Sequence, residues 1–355
     1  MKSMFGRKGK EKKGNYAYAV ARVKAKKAQL MGEDTYSKMM LMSLPEISRF
    51  IGESGYQKEI AALAGRYEGV DLIEHATYSN MANYFRGILE ATTGELHDML
   101  ASYLEKWDIW NFKVVLRGRS FGMNAEDIKE DLVPAGKLDQ QALEKLLSLE
   151  SEEDIIAAYG KAAGVVFPAD LISAYKESGN PSELEDFLEK DHYDTLLRSI
   201  DPSSRPTRLF QDYIRKEIDI KNVETILKLK AEGIHGEEVM KYIIPGGKQI
   251  DKKLATQLAN AETLSAAAND LAPLDFYDDI KEALDETNSL RGIVAGMKKY
   301  HIRQAKTFSH LYPLSVIPIV DFMIHKENEV NNIRIIARGL NSGLDLDVIK
   351  ELLVI

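Results

Sequence analysis

The stretch WDIWNFKVVLRGRSFGMNAEDIKEDLVPAGK, residues 107–137, decides the fold because close copies of it follow later in the chain. Residues 218–248, IDIKNVETILKLKAEGIHGEEVMKYIIPGGK, match it at nine positions without a gap. Residues 328–355, NEVNNIRIIARGLNSGLDLDVIKELLVI, also match the first copy at nine positions. One unit is therefore used three times, and the sequence stops inside the third copy.

Each copy is predicted to be a helix, a glycine stop and a second helix. An acidic residue precedes the apolar-periodic run of every copy, where a carboxylate can accept hydrogen bonds from the free N–H groups of a first helical turn. The predicted helix caps are Asp108, Asp219 and Glu329. A glycine with positive φ is predicted to end the first helix of each copy, at Gly122, Gly233 and Gly343.

The second helix of the unit has its own boundary signals. Asn124 and Asp345 are predicted to cap it. Pro134 and Pro245 are predicted to end it in two copies, since proline cannot continue a helix. The third copy reaches the last residue of the sequence before any such proline.

Two further repeated positions are candidates for binding a partner. Asparagine has poor propensity in a helix, yet every copy has one, at Asn111, Asn222 and Asn332. A cation follows six residues later, at Arg117, Lys228 and Arg338. Both positions also have structural interpretations, because a buried asparagine can serve packing or capping and a cation complements the negative end of a helix dipole. The cations are the stronger candidates for a surface that faces a partner.

Helical periodicity dominates the rest of the chain and predicts an all-α fold. The predicted helical segments are 16–31, 46–52, 57–66, 80–106, 140–147, 152–163, 183–190, 206–217, 252–270 and 277–286. The best candidate for a strand is the short run GVVF at 164–167.

Composition excludes several classes of protein. There is no cysteine, so disulfides and thiolate chemistry are excluded and a reducing cytoplasm fits. The net charge of −8 argues against a dedicated nucleic-acid binder. No apolar run is long enough to span a bilayer. The basic residues 1–13 do not have the form of a secretory signal and are predicted to be a disordered arm.

Catalytic and metal-binding patterns are missing as well. No phosphate-binding glycine loop, nucleophile elbow or H-E-x-x-H motif is present. The seven histidines are scattered and never lie three or four residues apart. We therefore predict that the chain is not an enzyme and needs no cofactor or metal.

Weaker similarity extends the repeat upstream of the opening stretch. LMSLPEISRFIG (41–52) resembles LLSLESEEDIIAAYG (146–160). The predicted organisation is a basic arm, an N-terminal helix and three helical repeats, at 1–13, 14–34, 35–135, 136–246 and 247–355. Three such repeats can stand in a row or close round a pseudo-threefold axis, and the sequence pattern fits both.

Several of these features together resemble one known family. YAYAVARVKAKKAQLM (16–31), the thrice-used [DE]-[IV]-x-N…[RK]…G pattern and NNIRIIARGLNSGL (331–344) look like the C subunit of the archaeal-type (A-type) ATP synthase, equivalent to the d subunit of the V-type ATPase. The resemblance runs from about residue 14 to residue 355. It implies an all-helical fold with three similar domains arranged as a pseudo-threefold funnel.

The resemblance also implies a mechanical function. Family members lie on the cytoplasmic face of the membrane as peripheral subunits, receive the end of the axle subunits and contact the rotor ring, so that torque passes between ion flow and ATP synthesis or hydrolysis. No bond chemistry is implied for the family member itself. The basic arm could additionally contact anionic lipid beside the ring.

Two other classes of function stay open at this point. A free-standing helical adaptor would have the same composition but no affinity for rotor subunits. An enzyme whose site assembles from distant carboxylates would need a pocket with converging acids of perturbed pKa. Neither alternative explains why the unit occurs three times.

Overall fold

A computed structural model describes residues 14–261, 270–283 and 290–355, and all regular structure within these ranges is helical. The helices are α1 Tyr16–Lys27, α2 Glu33–Met39, α3 Leu44–Gly52, α4 Gln57–Leu63, α5 Gly69–Ala91, α6 Gly94–Ser120, α7 Ala125–Glu130, α8 Gln140–Leu147, α9 Glu152–Ala163, α10 Ala169–Ser178, α11 Ser182–Ser199, α12 Arg205–Ala231, α13 Glu237–Met240, α14 Lys252–Asn260, α15 Tyr277–Glu282, α16 Leu290–Leu311, α17 Ile317–Asn341 and α18 Leu346–Leu352. The all-α prediction is confirmed, and the candidate strand at 164–167 is wrong because it forms the irregular connection after α9. None of the described helices is long and apolar enough to cross a membrane.

Side-chain caps determine where the short helices α8 and α9 begin. The Asp139 side chain accepts a hydrogen bond from the Ala142 N–H (2.8 Å) at the start of α8, and Ser151 accepts one from the Asp154 N–H (3.0 Å) at the start of α9. Both helices have the bounds that the sequence pattern predicted, 140–147 and 152–163. The predicted segment 252–270 is too long, because α14 ends at Asn260 and Ala261 leaves the helical conformation. Residues 262–269 of that segment, residues 284–286 of the predicted segment 277–286, and the arm 1–13 lie outside the described residues.

The three long helices that carry the repeat begin far upstream of the predicted caps. α6, α12 and α17 run without a break through Asp108, Asp219 and Glu329, so the prediction that these acids cap helix starts is wrong. Each acid lies in mid-helix, where the backbone N–H groups around it are already bonded within the helix. The predicted segment 80–106 is also two helices, because Thr92 and Thr93 have extended backbones between α5 and α6.

The glycine stops adopt the backbone that the prediction requires. Gly122, Gly233 and Gly343 have φ values of +72°, +82° and +66° directly after the last turn of α6, α12 and α17. The residue after each glycine donates its N–H to a carbonyl five residues back, at 2.9 Å in all three copies. These bonds satisfy carbonyl groups that the helix end would otherwise leave unpaired.

Six long helices pack in a closed circle. α5 contacts α6, α6 contacts α11, α11 contacts α12, α12 contacts α16, α16 contacts α17, and α17 returns to α5. Their inward faces, together with α1, form a central core that includes Val20, Phe85, Tyr103, Phe210 and Phe322. Burial of such large side chains contributes about 2 kcal/mol each and supplies most of the favourable free energy of folding.

Three smaller cores lie around the central one. The first joins the C-terminal half of α6 to α7–α11, and the second joins that of α12 to α13–α16. The third joins α17 and α18 to α2–α5, where Ile336 and Ile349 pack with Tyr36 and Ile47. The third of these cores is therefore built from helices near both ends of the sequence.

Candidate partner interface

The repeated asparagines form three internal clamps. Asn111 donates to the Val133 carbonyl (2.8 Å) and accepts from the Val133 N–H (2.7 Å). Asn222 binds Ile244 in the same way (2.8 and 2.8 Å), and Asn332 binds Val354 (2.9 and 3.1 Å). All three are buried, so the prediction that these asparagines bind a partner is wrong. Each clamp ties the long helix to the segment that follows the second helix of the unit.

The repeated carboxylates bind backbone N–H groups a little further along. Asp108 accepts from the N–H groups of Lys137 (2.9 Å), the last residue of the PAGK turn, and Leu138 (3.0 Å), the residue after it. A Cβ on Gly136 would lie 2.2 Å from the Asp108 Oδ1 atom, which explains the glycine in that turn. Burial raises the pKa of Asp108 to about 7, against the lowering effect of the two N–H groups.

The second copy repeats this arrangement closely. Asp219 accepts from the N–H groups of Lys248 (3.1 Å), Gln249 (2.8 Å) and Ile250 (2.9 Å). Burial raises the pKa of the Asp219 carboxyl, and the three N–H groups oppose that rise. The turn chemistry of PAGK and PGGK therefore exists to let a buried carboxylate approach the backbone.

Glu329, the third member of this set, has two partners near the start of the chain and one on its own helix. It accepts hydrogen bonds from the Met31 N–H (2.6 Å), the Tyr56 hydroxyl (2.6 Å) and the Lys326 ammonium (2.8 Å). Lys326 is only 3% exposed and also contacts the Tyr56 hydroxyl (2.9 Å). Burial lowers the pKa of Lys326, and the Glu329 charge opposes that change.

A charge network joins the three long helices where they meet. Lys106, Glu217 and Glu327 each lie two residues before the repeated acid, and the Lys106 ammonium binds the Glu327 carboxylate at 2.7 Å. Glu217 accepts a hydrogen bond from Tyr193 (2.7 Å) and lies 3.7 Å from the His301 ring. Burial would raise the pKa of Glu217, but His301 and Lys106 bring it well below the ordinary value.

Lys106, Glu217 and Glu327 line a cavity of about 220 Å³ together with Trp107 and Trp110. Sequence reasoning missed these residues. The available signal was a charged residue at the same position of all three copies, two residues before the repeated acid.

The repeated cations reach the surface but have partners within the chain. Arg117 binds both oxygens of Glu185 (2.6 and 2.6 Å), and Arg338 binds both oxygens of Glu74. Within the described ranges, the one ion pair of Lys228 is with Glu224, one turn back on its own helix (2.6 Å). The three side chains are 56%, 61% and 56% exposed in that order, so each keeps a face available to a partner.

Lys228 and Arg338 line one cleft between α12, α16 and α17. The cleft has a volume of about 560 Å³ and its charged lining consists of one carboxylate and five cations: Glu224, Lys228, Arg291, Lys298, Arg334 and Arg338. Glu74 lies beside Arg334 (3.3 Å) and neutralises part of this charge. No cluster of metal-ligating side chains occurs in the ranges that the structure covers.

Comparison with known proteins gives a consistent result. The family model described as ATP synthase (C/AC39) subunit matches residues 19–352, a range that includes all three long helices. The chain is 37% identical to the C subunit of the A-type ATP synthase of Methanococcoides burtonii over 345 residues, which cover 96% of this chain and 94% of the relative. It is 36% identical to the protein of the same name from Methanosarcina acetivorans over 351 residues (98% and 95% coverage). It is 34% identical to that from Haloferax volcanii over 345 residues (96% and 98%).

Proposed function

The chain belongs to the ATP synthase (C/AC39) subunit family, and from this premise we propose that it is a central-stalk subunit that joins the axle subunits to the membrane rotor ring. In this role it is a socket that passes torque between ion translocation and ATP synthesis or hydrolysis. The protein itself makes and breaks no bonds. It lies at the cytoplasmic face of the membrane as a peripheral component.

The proposed socket requires three repeats closed round a pseudo-threefold axis. Two observations support this closure: the six long helices contact one another in a circle, and the equivalent positions Lys106, Glu217 and Glu327 meet in one network. A rotor component benefits from a closed ring, because a closed ring has no free end at which shear could peel one repeat from the next.

The observation that carries the proposal is the pairing of Glu329. Under the proposed division into repeats 35–135, 136–246 and 247–355, Asp108 and Asp219 each bind the first residues of the next repeat. A linear row would leave the third acid without a following repeat. Glu329 instead binds Met31 and Tyr56, at the entrance to the first repeat and within it, which favours a closed arrangement.

Co-purification tests the proposed function. The tagged chain is mixed with the axle subunits and, separately, with detergent-solubilised rotor ring from the same source, over a series of salt concentrations. Capture of both partners is the expected result. Capture of neither by a folded helical chain would instead favour the free-standing adaptor.

The basic arm 1–13 lies outside the described residues, and its contact with anionic lipid stays a separate proposal. Lysine and arginine near a membrane surface contribute roughly 1 kcal/mol each. Flotation with anionic liposomes, comparing the full chain with one that lacks residues 1–13, measures this contribution. Equal binding of the two chains would rule it out.

A further inference from the structure

The repeated cations differ in one respect that concerns the choice of partner. In two of the three copies a neighbouring long helix supplies a carboxylate that neutralises the cation. Glu185 of α11 binds Arg117 of α6, and Glu74 of α5 binds Arg338 of α17, both through two hydrogen bonds. Such paired contacts fix the guanidinium and satisfy much of its charge.

The second copy, which contains Lys228, lacks such a carboxylate among the described residues. Glu185 and Glu74 are each supplied by the long helix that comes next in the circle. The long helix that comes next after α12 is α16, and its sequence LRGIVAGMKKYHIRQAKTFSHL contains no acidic residue. Where α16 faces Lys228 it presents Arg291 and Lys298, which line the same cleft. Neither of these two side chains forms an ion pair with any residue that the structure describes, and both are exposed.

The charge of the cleft is therefore unbalanced. Among the residues that the structure describes, two carboxylates bind its cations, Glu224 and Glu74, against five cations in its lining. Several like charges within one cleft repel one another and raise the free energy of the unoccupied state. An anionic group that enters the cleft would relieve this repulsion, so the geometry selects for negatively charged partners.

We propose that the cleft between α12, α16 and α17 is the docking site for a carboxylate-bearing segment of an axle subunit, held by Lys228, Arg291 and Lys298. This inference rests on the proposed function and adds the chemistry of one contact. The cleft opens between two of the three long helices that would line the socket. Its volume of about 560 Å³ accommodates several side chains, which fits a protein segment better than a single small anion.

The site also gives the proposed socket a defined orientation. A socket with three equal walls would accept an axle in three rotational positions. One wall with surplus positive charge distinguishes these positions, since an acidic segment on the axle gains the full attraction in one of them only. Charge arranged in this way specifies which surfaces meet and speeds their encounter.

Charge reversal on α16 provides the test. The double variant Arg291→Glu/Lys298→Glu is compared with Lys299→Glu/Lys306→Glu, which changes the net charge equally. Lys299 and Lys306 are on the same helix, exposed and without an ion pair to any described residue, but they do not line the cleft. Circular dichroism melts establish that both variants fold. Affinity for the axle subunits and for the rotor ring is then measured separately at low and at physiological salt.

The first variant is expected to bind the axle about tenfold or more weakly than wild type at low salt, with ring binding unchanged. The control variant is expected to bind both partners as wild type does. Equal weakening of axle binding in the two variants would attribute the effect to net charge and overturn the site, as would no weakening in either. Weakening of ring binding alone would assign the cleft to the ring and also overturn the inference.

Failure of the proposed function is distinguishable from failure of the site. A wild-type chain that captures no axle would remove both, whereas an axle captured equally by all variants removes the site alone. Zero-length carbodiimide cross-linking gives a direct readout, because it joins a lysine amine to a carboxylate in contact with it. We expect Lys228 or Lys298 to be joined to an acidic residue of the axle, and the cross-link to disappear in Lys228→Arg/Lys298→Arg while axle binding is retained. Cross-links from Lys299 but not from the cleft lysines would contradict the assignment.

Discussion

The asparagine clamps and the repeated cations lie six residues apart on the same three helices, yet their surroundings differ in uniformity. Asn111, Asn222 and Asn332 each bind a backbone group 22 residues further on, with nearly the same distances. The cations have a different environment in every copy: a buried carboxylate of α11, a residue of their own helix, or a carboxylate of α5. The interior contacts of the repeat are thus the same in all three copies, whereas the contacts of its outward face differ from copy to copy.

The largest effect on stability is expected at Glu329, where the partners of the repeated acid differ from those in the other two copies. Glu329→Gln would leave the Lys326 ammonium buried without a carboxylate, at a cost of about 4 kcal/mol in the free energy of unfolding. Asp219→Asn removes the equivalent carboxylate, which has only backbone partners, and should cost about 1 kcal/mol. Urea unfolding of the two variants measures this difference. Equal losses would mean that Lys326 contributes nothing to the closure.

Substitutions in the asparagine clamps should have the next largest effect on the free energy of unfolding. Asn222→Leu leaves the N–H and carbonyl groups of Ile244 buried without partners and should cost about 3 kcal/mol. Asn332→Leu should cost a similar amount, even though its partner Val354 is next to last in the sequence. Urea midpoints give both values. A loss below about 1 kcal/mol at Asn332 would show that the third clamp is not equivalent to the others.

The pH dependence of stability should report the pKa of the buried Asp108 carboxyl. Burial raises the pKa of Asp108 to about 7, so this carboxyl holds its proton more tightly in the folded than in the unfolded chain. Its protonation therefore favours folding at low pH, and the benefit is lost as pH rises from about 4 to about 7. The stability advantage of wild type over Asp108→Asn should shrink across that window, measured as the difference in Tm at each pH. An advantage that grows with pH would mean that the pKa of Asp108 is depressed instead.

The smallest effect is expected on the outward face. Arg117→Ala leaves Glu185, which is 5% exposed, without its paired hydrogen bonds and should cost about 1 kcal/mol. Lys228→Ala removes only an exposed contact with Glu224 and should cost less than about 0.5 kcal/mol. Thermal melts of the two variants at one salt concentration compare them. A larger loss for Lys228→Ala would reverse our account of which cation is free to bind a partner.

Much of the local structure was predictable because it depends on short-range chemistry. The bounds of α8 and α9 follow from a cap and an apolar period that lie within a few residues of each other. The glycine stops follow from the backbone that only glycine adopts readily. The contacts of the candidate site were harder to predict from the sequence. The cations were identified by their repetition, but the ion pairs of Arg117 with Glu185 and of Arg338 with Glu74 join residues that are 68 and 264 positions apart.

The sequence by itself determined that the protein is all-helical, that one unit recurs three times, and which cations are shared by its copies. These properties rest on periodicity, capping and identity, which neighbouring residues encode. Only the tertiary structure decided that Asp108, Asn111 and their counterparts are internal fastenings rather than caps or ligands, and that Glu329 binds residues near the start of the chain. A buried polar group must find a partner wherever packing brings one, and the position of that partner is fixed by the assembled helices and not by sequence spacing.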